Sequence, residues 1–268
     1  MLHVVHSTPI ALSRGLLLLL GELDVLLLLL ADPGHRRFID AVPGLTFKNG
    51  FVRVKNGQVI LTGHSADHLA RHAYPFDYNP SLAIPNLAPF LLGLFAAVPL
   101  HEQMQRINLY QEFVGTCLIG EATVHQKALV FSGEGGNGKS AALEVARAAF
   151  QGGSVVSLPP QLWSQRFQLA ALAVALGNFV DEIPERDITG GEVFKAVVTG
   201  EPAHGERKHQ PPFDFRPVAG HIFSANTLPG TVDQTSAYWR RFGKTRIKKV
   251  HTSGGNYYEC RVPRHRNF

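Results

Sequence analysis

The sequence predicts an α/β fold, a three-layer sandwich with a mainly parallel sheet, preceded by a small mixed α/β accessory module. Three observations carry this expectation. The octapeptide Gly133-Glu-Gly-Gly-Asn-Gly-Lys-Ser140 sits between a buried-strand pattern, Lys127–Phe131, and a helical one, Ala141–Ala149. Strand and helix patterns then alternate as far as Asn226, as parallel strands joined by helices on both faces do. Upstream, Phe51–Gly57 and Gln58–Leu61 alternate like two short strands around an Asn-Gly turn.

A chain of 268 residues, 45% of them apolar, holds one large domain or two small ones. Two cysteines, Cys117 and Cys260, exclude a disulfide framework and a four-cysteine zinc site, and fit a reducing compartment. The 13 histidines are scattered without the spacing of a helical metal site, so they read as surface or structural groups. The net charge of +5 conceals an asymmetry. Of 26 basic and 21 acidic residues, 12 and three respectively lie in residues 207–268, leaving 14 and 18 elsewhere. A basic C-terminal third suits a polyanionic partner, with a merely solvated surface as the alternative.

Residues 1–34 form a low-complexity leader with five-leucine runs at Leu16–Leu20 and Leu26–Leu30. Glu22 and Asp24 interrupt them, so the stretch makes a poor membrane span, and no membrane partner is expected. Residues 35–115 read as the accessory module, with prolines at Pro75, Pro80, Pro85 and Pro89 before helices at Phe90–Val98 and His101–Ile119. Residues 116–243 read as the nucleotide-binding core, and 244–268 as an atypical basic tail.

The octapeptide matches the phosphate-binding pattern G-x-x-x-x-G-K-[ST]. Gly133, Glu134, Gly135, Gly136, Asn137 and Gly138 form a nest of backbone N–H groups, and the following helix adds its positive end. Lys139 reaches the outer phosphates of a nucleotide such as ATP, and Ser140 holds the Mg2+ that bridges them. A strand at Gly152–Leu158, a helix at Pro160–Leu176 and a strand at Gly177–Glu182 follow, the last ending in two acids. Asp181 is assigned to metal positioning and Glu182 to activation of water; a solvated acid pair is the alternative. The geometry expected here places the acids' strand directly beside the cradle's strand.

Thr189–Thr199 reads as a helix, and Glu201–Phe215 as a hairpin carrying Arg207 and Lys208 outward, where they can follow a phosphate backbone. An exposed charged turn is the alternative. The strand Val218–Asn226 ends in an amide able to hold the lytic water or the outer phosphate, unless Asn226 only makes a turn. Arg240 and Arg241, on an expected short helix, supply guanidinium groups suited to a finger in a neighbouring subunit's site, or to packing alone.

Together Gly133–Ser140, Gly177–Glu182 with Pro184, Thr199–Pro202 with Glu206-Arg-Lys208, Phe223–Asn226 with Leu228-Pro229, and Trp239-Arg-Arg241 resemble the superfamily 3 helicases. The resemblance is strongest to the helicase part of satellite-phage and poxvirus-type DNA primase–helicases. Pro43–Gly50, Pro75–Tyr78 and Gln111–Gly115 are similar to the module that precedes that ATPase. The resemblance implies an AAA+-type core in a homo-hexameric ring, ATP and Mg2+ between subunits, and single-stranded or forked DNA gripped by Arg207 and Lys208. Asn226 matches the sensor position, and Arg240 or Arg241 the finger. It further implies a cytoplasmic setting, in a bacterium or the host of a mobile element, and a primase domain on another chain. The leucine-rich start and basic tail depart from the family pattern. The expectation they raise is a truncated, inactive nucleotide-binding or partner-binding fragment as the alternative to an active helicase. A P-loop kinase is a weaker rival, since no acceptor pocket is legible.

Overall fold

A small antiparallel sheet opens the described chain. In the computed structural model, which describes residues 41–82, 85–133, 136, 138–183, 191–226, 241–246, 248–252 and 255–259, strands β1 (Leu45–Phe47), β2 (Gly50–Lys55) and β3 (Gln58–Thr62) pair antiparallel in that order. Lys55 faces Gln58 across the Asn56-Gly57 turn, as expected. Phe47, Phe51 and Val52 are buried.

Two helices follow, α1 (Leu87–Leu94) and α2 (Leu100–Leu118). Leu87, Leu91 and Leu94 fall on one face of α1, and Ile107, Tyr110, Val114, Cys117 and Leu118 on one face of α2. Both faces join a single apolar cluster that continues from Leu45 and Phe47 into the central domain. The accessory module therefore shares its core with the central domain, and the boundary read at residue 115 falls inside α2.

The central domain comprises β4 (Ala128–Ser132), α3 (Lys139–Ala148), β5 (Val155–Val156), α4 (Arg166–Leu169), β6 (Gly177–Val180), α5 (Gly191–Thr199), β7 (Ala203–Gly205), β8 (Phe213–Phe215), β9 (Gly220–Ala225) and β10 (Phe242–Arg246). Five strands form one parallel sheet in the order β10-β4-β9-β6-β5. Every residue of β4, β6 and β9 is buried, as required of strands covered on both faces. Alternate side chains divide between the two covers. Leu129, Phe131, Phe179 and Ile222 pack under α2 and α3, whereas Ala128, Val130, Val180 and Phe223 pack under Trp163 and α5. Gly220 lets α2 approach the sheet, because a Cβ there would lie 2.1 Å from Cys117 Sγ. Two buried tyrosines tie the module to α3: Tyr74 donates its hydroxyl proton to Ala149 O (2.6 Å) and Tyr110 to Ala142 O (2.7 Å).

Three expectations are corrected. The acids' strand β6 does not adjoin the cradle's strand β4, because β9 pairs with both and lies between them. Pro160–Leu176 is not one helix but a 3-10 turn at Pro160–Leu162, the single turn α4 and a second 3-10 turn at Ala170–Ala173. Burial of Trp163 overrides helical propensity here. Its ring stacks on Phe194 at 5.4 Å and its Nε1–H donates to Leu158 O, so the chain must turn around it. Finally, the core does not stop at Gly243. Phe242–Arg246 adds a parallel strand to β4, and Lys248–Thr252 and Gly255–Glu259 form an antiparallel hairpin, β11 and β12, with β12 against α1.

The leucine runs, Glu134, Gly135, Asn137, Pro184, Thr189, Leu228-Pro229, Tyr238, Trp239 and Arg240 lie outside the described residues. Among the described residues, no helix is long and apolar enough to cross a membrane.

Candidate active site

The cradle forms where β4 gives way to α3. Gly136 and Gly138 take φ of 74° and 85°, left-handed values that side chains resist, and Gly138 is the N-cap of α3. Lys139 and Ser140 are thus the first two residues of a helix whose N–H groups point into the loop. Lys139 is buried at 7% exposure, while Ser140 is exposed. Gly133 N–H donates to Ala225 O at 3.2 Å, which fastens the loop to the end of β9.

Lys139, Asn226 and Glu182 form one hydrogen-bonded chain. Lys139 Nζ donates to Gly133 O (2.6 Å) and to Asn226 Oδ1 (3.2 Å), and Asn226 Nδ2 donates to Glu182 Oε1 (2.8 Å). These contacts assign the amide orientation, with its oxygen toward the cation and its nitrogen toward the carboxylate. Burial pulls the Lys139 ammonium below the usual lysine range, opposed by the attraction of Glu182 and Asp181. The inserted strand β9 is therefore the physical link between cradle and acids. The expected convergence of cradle, acids and amide is present; the expected strand adjacency is not.

Asp181 and Glu182 leave the end of β6 as exposed groups. Glu182 adopts φ 56°, a left-handed conformation that costs a non-glycine residue about 1–3 kcal/mol and clusters at functional sites. Ser224 of β9, which the sequence reading left without a role, contacts both acids. Its Oγ donates to Asp181 Oδ1 (2.6 Å) and accepts from Glu182 N–H (2.7 Å), while Ser224 O accepts from Ile183 N–H (2.8 Å). Ser224 lies inside the matching stretch Phe223–Asn226, two residues before Asn226, but no local pattern assigns it a role. On α3, Arg147 also donates to Phe179 O of β6, tying the cradle's helix to the acids' strand.

The hairpin β7–β8 exposes Arg207 and Lys208 at its tip as expected. It packs against α4, and Arg166 pairs with Glu206 at 2.5 Å. The Arg207 guanidinium lies 5.0 Å over the Phe213 ring, which stiffens the turn. Arg241 is not on a short helix; it occupies the turn that opens β10. Arg241 O accepts from Ala128 N–H (2.7 Å) and its Nη1 donates to Gln126 Oε1 (3.0 Å). That is the edge at which β4 enters the sheet. The cradle follows its exit, five residues or about 16 Å away. The structure thus brings together Gly133, Lys139, Asp181, Glu182 and Asn226, and leaves Arg207, Lys208 and Arg241 elsewhere on the chain.

A parallel sheet covered on both faces, with a glycine loop opening a helix after β4 and acids at the same strand ends, is the α/β fold of the P-loop NTPases. The family DUF5906, a family of unknown function, matches residues 131–241. No curated protein matches this chain. Among solved structures, the apo C-terminal region of NrS-1 is similar with a TM-score of 0.47 and 18% identity, over 59% of this chain and 37% of that one. A second form of that region gives 0.45 and 18% over 59% and 36%. JCV helicase, solved with a bound acetamide compound, gives 0.39 and 16% over 59% and 42%. The aligned part of this chain spans little more than a third of the NrS-1 region.

Proposed function

We propose that this chain is the ATPase core of an ATP-dependent DNA helicase or translocase of phage, plasmid or viral replication type. The observation that carries the proposal is the hydrogen-bonded chain from Lys139 through Asn226 to Glu182 at the exit edge of the sheet. A cation for the outer phosphates, an amide and a carboxylate base stand in sequence around one point, as hydrolysis of a bound phosphoanhydride requires. The motif order and the exposed Arg207-Lys208 hairpin support the choice of helicase over other P-loop chemistries.

In this reading the N–H groups of the cradle and the start of α3 bind the phosphates, and Lys139 neutralises charge that builds up on the outer phosphate. Glu182 accepts the proton of the attacking water, and Asn226 orients both water and carboxylate. Ser140 and Asp181 are the oxygen donors for Mg2+. An exposed hydroxyl at the start of α3 and an exposed carboxylate at the end of β6 would suit a hard cation, which when bound would supply charge neutralisation to the phosphates. Arg207 and Lys208 follow a single-stranded DNA backbone. Arg241, held away from this chain's own cradle, serves in a ring of six copies as a finger candidate together with Arg240.

Lys139→Ala tests the assignment. ATP hydrolysis falls by about 100-fold or more, the scale of removing one preorganised charge-stabilising group, while circular dichroism stays unchanged. Full turnover in this variant rejects the site.

A further inference from the structure

Asp181 and Glu182 are adjacent in sequence, so in a regular strand their carboxylates would project to opposite faces of the sheet. Here each nevertheless meets β9, Asp181 through Ser224 Oγ and Glu182 through Asn226. The left-handed turn at Glu182 redirects the second side chain, and the turn is held by three bonds to one residue. Glu182 N–H donates to Ser224 Oγ, Ser224 Oγ donates to Asp181 Oδ1, and Ile183 N–H donates to Ser224 O. The proton order in this relay is settled by chemistry, since an amide N–H only donates and an ionised carboxylate only accepts. Ser224 is 1% exposed, so no solvent molecule readily takes its place.

We infer that Ser224 is a positioning residue for both acids, an inference that rests on the hydrolytic reading above. Its hydroxyl fixes the rotation of the Asp181 carboxylate by committing Oδ1. Its acceptor lone pair holds the backbone turn that places Glu182 beside Asn226. A single buried hydroxyl thereby aligns the two acids on a strand that does not touch the cradle's strand. Loss of such a supporting hydrogen bond commonly costs about 10- to 100-fold in activity.

The test uses the full chain and two readouts. In the unmutated protein, amide hydrogen exchange at Glu182 is slowed about tenfold or more against an exposed amide, the factor one buried hydrogen bond confers. Ser224→Ala removes that protection while leaving amides of β4 unchanged. It lowers kcat for ATP about 10- to 100-fold with KM within about twofold, and Ser224→Thr, which keeps the hydroxyl, restores both. An unprotected Glu182 amide in the unmutated protein overturns the inference, and does so even if Ser224→Ala fails to fold. So does unchanged kcat in Ser224→Ala, or a Ser224→Thr variant as impaired as Ser224→Ala. Full turnover in Lys139→Ala sinks the hydrolytic reading instead, while an inactive Lys139→Ala beside a fully active Ser224→Ala removes only the role of Ser224.

Discussion

His221 offers a prediction whose size follows from its surroundings. The ring lies in the middle of the sheet at 1% exposure, 4.6 Å from Trp163, with Nδ1 3.3 Å from Asn178 Nδ2 and Nε2 buried without a partner. Burial lowers its pKa from 6.5 to about 3. Above pH 6.5 the imidazole is neutral in both folded and unfolded chains, and its contribution to stability is intact. As pH falls below 6.5 the unfolded chain takes up a proton that the folded chain refuses. Stability is then lost at about 1.4 kcal/mol per pH unit until about pH 3. At about pH 4.5 the loss is about 3 kcal/mol, a large share of the ~5–15 kcal/mol that holds a typical domain folded. His221→Phe keeps a flat ring against Trp163 and removes both the titration and the orphaned Nε2. Urea unfolding of both proteins from pH 7.5 to 4.5 measures the effect. Carboxylates shared by both chains cancel in the difference, so the stability gap should widen in favour of Phe by about 1.4 kcal/mol per unit below pH 6.5. Parallel stability curves would refute the reasoning.

The proposed DNA contact and the joint between module and core are each open to test. Arg207→Ala with Lys208→Ala leaves basal ATP hydrolysis within about twofold and removes its stimulation by single-stranded DNA; loss of about two phosphate contacts also lowers the slope of log affinity against log salt by about 1.4. Equal loss of basal and stimulated turnover would count against a DNA role for the hairpin. Tyr74→Phe strands the buried carbonyl of Ala149, the C-cap of α3, and should lower unfolding free energy by about 1–3 kcal/mol, whereas Tyr110→Phe removes a second bond to Ala142 O, whose helical bond remains, and should cost about 0.5–1.5 kcal/mol. Because both tyrosines belong to one apolar cluster, thermal unfolding of either variant should remain a single transition. A separate early transition of the module would show that the shared core does not couple them.

The sequence alone determined the parts of the site that depend on local geometry. A glycine-rich turn between a buried strand and a helix announces itself, because the torsions of Gly136 and Gly138 and the period of the flanking residues are properties of neighbours in the chain. The acids after Gly177–Val180 and the amide after β9 were legible for the same reason, each being the polar end of an apolar run. Tertiary structure decided which strands touch. Parallel strands are joined by crossovers, and β4, β6 and β9 are uniformly buried runs, so no local pattern reveals that β9 is inserted between the other two. That insertion brings Ser224 and Asn226 against the acids and replaces the expected direct neighbourhood of cradle and acid strands. Strand β10 is not legible in the sequence because the polar Lys244, Thr245 and Arg246 break the apolar run by which a buried strand is read. The broken segment around Trp163 likewise reflects a demand from the core, burial of one large ring, that outweighs helical preference along the chain.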